Sequence, residues 1–227
     1  MSGDDFIAPH CDKEITLLFE DDDLIVIDKP SGLLSLSGKN PLNKDSVHYR
    51  LAQQFPSVTM VHRLDFGTSG VMVLARNKVV NAHLTKQFQA RSITKHYLAL
   101  LFGHLPNDDG LIDAPIAKGN FPHQKICHQT GKAASTYYQV LQRSIDRVNG
   151  AKISRVLFTP TTGRTHQLRV HSQEIGYPII GCDLYAGIID GVNTQELSSR
   201  LCLHASRLQF EHPNSHERIS FEAECEF

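Results

Sequence analysis

The sequence predicts an α+β fold: a single domain built on a large, mostly antiparallel mixed sheet flanked by helices and loops. Three observations carry that reading. Strand-like runs outnumber helical ones, several consecutive runs are joined by hairpin signals, and no repeat, low-complexity block or linker divides the chain. With 227 residues, 41% of them hydrophobic, the chain is long enough to bury a sizeable core.

The elements follow in order. Residues 1–14 read as a loose acidic arm, and residues 15–227 as the domain. DLIVIDKPSG reads as a buried strand, because Leu24 to Ile27 form an unbroken apolar run that Pro30-Ser31-Gly32 ends. Residues 34–45 are polar and contain Gly and Pro, which predicts a loop. In SVHYRLAQQF, Val47, Leu51 and Phe55 recur at helical spacing and Pro56 stops the helix. VMVLAR is the next strand. NKVVNAHLTKQFQAR is a helix with Val80, Leu84 and Phe88 on one face and Asn77 as its N-cap. KHYLALLFGHL is a strand closed by Gly103 and Pro106. STYYQVLQR and KISRVLFTP alternate with period two, and Asn149-Gly150 between them signals a hairpin. HQLRVHSQEIG predicts a helix ending at Gly176. LHASRLQFEHP and RISFEAE predict a last hairpin.

Charge is segregated although the net is only -1. Acids dominate residues 1–30. Arg63, Arg76, Lys78, Lys86, Arg91 and Lys95 face only Asp65 within residues 61–100, and residues 151–171 hold Lys152, Arg155, Arg164 and Arg169 without an acid. Folded together, the two basic segments would make one positive surface; the bland alternative is a set of ordinary solvated faces. Five cysteines, none close to another in sequence, fit reduced thiols better than a disulfide framework. The acidic N-terminus has no signal-sequence pattern, and no apolar run approaches the ~20 residues of a membrane span. These features point to a soluble cytoplasmic protein.

The chemistry-bearing stretch is VHRLDFGTSG, residues 61–70. Its HRLD and DFG strings share one Asp and no glycine-rich loop precedes them, which excludes a protein kinase. Thr68-Ser69-Gly70 lacks the first glycine of a hydrolase elbow. Thirteen histidines show no metal-ligand spacing, and His166 and His171, five apart, do not share a helix face. The residues around Asp65 leave two readings open. It is a turn former among small residues, or it is a carboxylate presented at a sheet edge, for which Arg63, Arg164 and Arg169 are candidate partners. TPTTGRTHQLRVH reads as a loop entering a helix, with Thr165 as N-cap. Amides at such a helix start, with arginines beside them, suit phosphate; the alternative is an amphipathic helix with solvent-facing basic positions.

The string HRLDFGTSG resembles the H-R-L-D-x-x-T-S-G signature of the RluA family of pseudouridine synthases and matches every specified position. DLIVIDKPSGLLS, TKHYLAL, GRTHQLRVH, YPIIGCDLYA and LHASRLQF resemble further family features in the same order. The likeness runs from about residue 19 to the C-terminus and is closest to the compact members, which lack an appended RNA-binding domain.

The resemblance implies that the chain isomerises uridine to pseudouridine in RNA, with no cofactor and no metal. Asp65 matches the catalytic Asp and would be the nucleophile. Tyr97 matches the Tyr that stacks on the target base, and Arg169 the Arg that pairs with the Asp. Leu168 matches an apolar residue packing the uracil, and Arg63 the residue that enters the RNA stack after the base has left. His62 and Arg164, inside the same motifs, are further expected substrate contacts. The implied partner is a stem-loop of large-subunit rRNA, of the tRNA anticodon arm, or of both, bound by a monomer. General chemistry agrees: a base must leave its stack, at roughly a few kcal/mol, before its glycosidic bond is reached. A planar guanidinium suits the vacated space, and an aromatic face is worth ~1–3 kcal/mol to the flipped base.

Overall fold

The computed structural model describes residues 6–146, 150–189 and 191–227. In chain order the elements begin with β1 (Thr16–Glu20), β2 (Leu24–Lys29), α1 (Val47–Ala52), β3 (Thr59–Met60), β4 (Ser69–Ala75) and α2 (Lys78–Ala90). Next come β5 (Thr94–Phe102), β6 (Asp109–Asp113), β7 (Ile116–Lys118), β8 (Gln124–Ile126), β9 (Ser135–Ile145), β10 (Lys152–Pro160) and α3 (Gln167–Glu174). The chain closes with β11 (Ile188–Ile189), β12 (Val192–Asn193), β13 (Leu203–Glu211) and β14 (Arg218–Glu222). Ten of the strands form one large sheet; β7 with β8 and β11 with β12 make separate two-stranded ribbons. This is the α+β, mostly antiparallel architecture expected from the sequence. Among the described residues no helix is long and apolar enough to cross a membrane.

The chain divides into two compact units, residues 1–95 with 205–226, and residues 96–204 with Phe227. In the first, the strand order is β1-β2-β4-β13, with β3 beside β4 and β14 beside β13. β2 and β4 pair antiparallel, Ile25 opposite Leu74 and Ile27 opposite Met72. Every residue of β4 is buried, which accounts for the unbroken apolar run in the sequence. Leu24, Val26, Val71 and Val73 pack with Val80 and Leu84 of α2 in one cluster. Asn77 caps α2 as expected: its side chain accepts from the Val80 amide at 2.9 Å. Gly70 has φ +115, and a Cβ there would lie 2.3 Å from the Ala205 carbonyl oxygen. Only glycine permits that approach.

Residues 34–45 contain a short 3-10 turn, Pro41–Asn43, inside the expected loop. The N-terminal arm departs from expectation. Residues 6–14 are pinned rather than loose: Asn43 donates to the Phe6 carbonyl at 2.6 Å and accepts from the Ala8 amide at 2.7 Å. Arg50 donates to the carbonyls of Cys11 and Lys13, both at 2.6 Å. A polar side chain that satisfies a backbone some 35 residues away leaves no local signal in sequence.

In the second unit the order is β5-β10-β9-β6. β10 pairs antiparallel with both β5 and β9, and its alternate residues Ser154, Val156, Phe158 and Pro160 are buried. Gly150 adopts φ +71, as a turn between β9 and β10 requires; Asn149, the other half of the expected hairpin signal, lies outside the described residues. The core joins Leu101, Val156 and Phe158 of the sheet to Leu168 and Val170 of α3 and to Ile179, Ile180 and Tyr185.

Candidate active site

In the first unit the segment 29–35 clamps the loop that carries Asp65. Lys29 is fully buried. Its Nζ donates to the carbonyls of Pro30 at 2.9 Å, Leu33 at 2.7 Å and Phe66 at 3.2 Å. The Gly32 amide donates to the same Phe66 oxygen at 3.0 Å, and Ser31 Oγ donates to the Gly67 carbonyl at 2.7 Å. Ser35 Oγ donates to the Leu64 carbonyl at 2.6 Å and accepts from the Leu64 amide at 3.1 Å. Carbonyls on both sides of Asp65 are thus tied to one strand end. Asp65 also forms a turn, its carbonyl accepting from the Thr68 amide at 3.1 Å. The turn reading of Asp65 therefore holds for its backbone, and the residue is half-buried.

Arg63 is exposed, two residues before Asp65. His62 serves the protein interior: its Nε2 accepts from the Val73 amide at 3.1 Å and its ring stacks on Phe88 at 4.7 Å. Burial, with the charge of Lys95, pushes its pKa down to about 3, so the ring is neutral. Lys95 is itself pushed down to about 8 by burial and by Arg91. Phe6 meets Phe66 edge to face, centroids 5.7 Å apart. The N-terminal arm thus touches the residue after Asp65.

In the second unit Tyr97 stands on β5 opposite Phe158 of β10 and packs against the core. Leu168 and Arg169 lie in the first turn of α3 and are buried, at 6% and 4% exposure. Arg169 donates through Nε to Cys182 Sγ at 3.3 Å, pairs through a terminal nitrogen with Asp183, and lies over the Tyr185 ring at 5.2 Å. The solvent-facing basic helix weighed from the sequence is not what forms: residues 167–172 are all buried. Thr165 is not the cap. That position falls to His166, in the left-handed region at φ +55 with no side-chain cap bond. Gln167, the first helical residue, instead ties down the entering loop, its Oε1 accepting from the Arg164 amide at 2.9 Å and from Thr162 Oγ1 at 2.8 Å. Arg164 donates through Nε to the Ala133 carbonyl at 3.1 Å.

The sequence reading passed over Lys29, Ser35, Gln167, Tyr185 and Asp183. The sequence signal for Lys29 was a lysine closing an apolar run, ordinarily read as a solvated strand end. Histidine spacing likewise hid two clusters that the fold assembles, His83 with Glu211 and His216, and Asp21 with Asp23 and His212. In the second, both ring nitrogens of His212 are occupied: Nε2 meets Asp21 at 2.8 Å and Nδ1 accepts from the amides of Asn214 and Ser215. In the first, His216 Nδ1 bonds Glu211 at 2.9 Å, and Gln87 Nε2 lies 3.2 Å from His83 Nδ1.

The clamped Asp65 loop thus runs directly into β4, every residue of which is buried. The model of the RNA pseudouridylate synthase family matches residues 23–174, and the chain belongs to that family. A relative from Vibrio vulnificus, named dual-specificity RNA pseudouridine synthase RluA, is 45% identical over 221 residues, 96% of this chain and 86% of its own. The relative of the same name from Escherichia coli K12 is 40% identical over 215 residues, 94% of each chain. A solved structure of human RNA pseudouridylate synthase domain containing 1 is 29% identical, with a TM-score of 0.76 over 95% of this chain and 85% of that one.

Proposed function

We propose that the chain is an RNA pseudouridine synthase that acts without cofactor or metal. In the reaction the bond from N1 of uracil to C1′ breaks, the base turns, and a bond from C5 to C1′ forms. The C5 hydrogen leaves as a proton and N1 gains one, so mass is unchanged. Asp65 is the nucleophile in this reading. Tyr97 stacks on the reacting base and Arg169 supplies the positive charge to the aspartate, roles that the family resemblance gives them. Leu168 packs the uracil, Arg63 fills the vacated stack and Arg164 meets the RNA backbone. His62, with its ring bonded to Val73, serves better as a support of the Arg63–Asp65 loop than as a direct contact.

The observation that carries the reading is whole-length likeness to RNA pseudouridine synthases together with the clamp around Asp65. The relatives' name, dual-specificity RNA pseudouridine synthase, supports more than one RNA as substrate; a stem-loop of large-subunit rRNA and the anticodon arm of tRNA are the two that the family resemblance implies. We further propose that residues 15–227 act as one catalytic domain, working as a monomer in the cytoplasm. The test is tritium release from RNA labelled at uridine C5. Turnover by the wild-type chain and none by Asp65→Asn, with RNA binding kept, is the expected result. Full turnover by Asp65→Asn would remove the proposed role of Asp65.

A further inference from the structure

Residues 114–145 contain no Asp or Glu, while Lys118, Lys125, Lys132 and Arg143 all fall within them. Inside this stretch β7 and β8 form a ribbon, Ala117 opposite Lys125 and Lys118 opposite Gln124. Its tip is closed by two bonds, Gly119 amide to His123 carbonyl at 3.0 Å and His123 amide to Asn120 carbonyl at 2.8 Å. Phe121 stands at that tip, 64% exposed.

The base of the ribbon is fixed. Ile116 is buried, Ile126 packs on the core of the second unit, and Ile116 exchanges two backbone bonds with Lys132 at 3.0 and 2.9 Å. The Gln124 amide donates to Tyr185 Oη at 2.8 Å, and the same oxygen lies 2.8 Å from His166 Nδ1, at the residue that precedes α3. A single exposed phenylalanine is ordinary on a protein surface. This one is held on an anchored, purely cationic arm, and Gln124 beside its tip is linked through Tyr185 to His166, in the segment that carries Arg164 and Arg169.

We propose that the β7–β8 ribbon is a second RNA contact, in which Phe121 stacks on an unpaired base other than the reacting uridine and Lys118 and Lys125 meet flanking phosphates. The inference rests on the RNA-modifying reading above. Charge complementarity selects RNA as the occupant, and stem-loop RNA supplies the splayed bases that an aromatic face takes without sequence preference. Ordered by its own turn, the arm loses little freedom when it binds.

The full-length chain is tested on a synthetic stem-loop for affinity and turnover separately. Phe121→Ala should raise Kd and KM roughly tenfold, within the range for loss of one stacked base, with kcat within about twofold. Phe121→Tyr should behave as wild type, and the thermal midpoint of each should be unchanged. Lys118→Gln with Lys125→Gln should make the salt dependence of binding shallower by roughly 1.4–1.8 in logarithmic slope, about 0.7–0.9 per phosphate. Unchanged Kd in Phe121→Ala, with an active wild type, overturns the arm and leaves the enzyme reading intact. A wild type that binds RNA through Phe121 yet releases no tritium overturns the enzyme reading and leaves the arm.

Discussion

Ser35 Oγ bridges both backbone groups of Leu64, donating to its carbonyl and accepting from its amide. Leu64 immediately precedes Asp65, and both groups are buried, so water cannot replace the hydroxyl. Ser35→Ala should therefore lower stability by ~1–3 kcal/mol, the usual cost of stranding buried backbone groups. The loop would also lose its fix at the residue beside the nucleophile. Turnover should fall more than RNA affinity, because positioning acts on the chemical step. Equal losses in kcat and Kd, or none, would contradict the clamp.

Gly70 closes the same motif from the other end. Its φ of +115 is a region L side chains rarely adopt, and an added Cβ would lie 2.3 Å from the Ala205 carbonyl oxygen and 2.6 Å from its nitrogen. Gly70→Ala should cost at least about 3 kcal/mol, strain and overlap together, and should move the urea midpoint accordingly. A midpoint equal to wild type would mean that β4 and β13 separate freely here.

Arg169 is a buried cation with three different neighbours: a thiol, a carboxylate and a ring. Its partner Asp183 is 64% exposed, so that pair is largely screened. Asp183→Asn should shift stability by less than about 1 kcal/mol. Arg169→Lys should do more damage, because a point-charge ammonium cannot serve Cys182, Asp183 and the Tyr185 face at once. In a side-by-side assay, Arg169→Lys should lose turnover while Asp183→Asn keeps most of it.

Sheet strands and α2 were legible because their signals are local. The run Leu24–Ile27 is apolar without a break, and Asn77 sits at the position that caps Val80. The start of α3 was not legible. Its first residue, Gln167, is anchored to Ser135 and Thr136, 32 and 31 residues earlier, and no spacing rule reveals such partners. The alternative of solvent-facing basic positions on α3 fails at Arg169 for a related reason: its buried neighbours Cys182 and the Tyr185 ring lie 13 and 16 residues on, where no helix pattern shows them. For the site, the motif around Asp65 was evident, but the support beneath it came from Lys29 and Ser35, residue types that patterns assign to the surface.

The fold lowers the pKa of both His62 and His171. Burial pushes His62 down to about 3, with Lys95 adding to the effect. Burial also lowers His171, against smaller opposing contributions from the Ala114 carbonyl, Asp113 and Glu174. Its Nε2 meets the Ala114 carbonyl at 3.0 Å and its Nδ1 meets Thr136 Oγ1 at 2.9 Å. With folded values below the ordinary 6.5, the unfolded chain binds more protons in this range. The stabilisation is thus fully present above about pH 6.5 and is lost as pH falls from there towards the folded values. For His62 the slope is about 1.4 kcal/mol per pH unit between the two values. His62→Gln keeps an acceptor for the Val73 amide but removes the titration. Urea unfolding between about pH 4.5 and 6 should then show a shallower loss of stability than wild type by about that slope, since the carboxylates titrate alike in both. Identical slopes would mean that His62 gains its proton in the folded protein as readily as in the unfolded one.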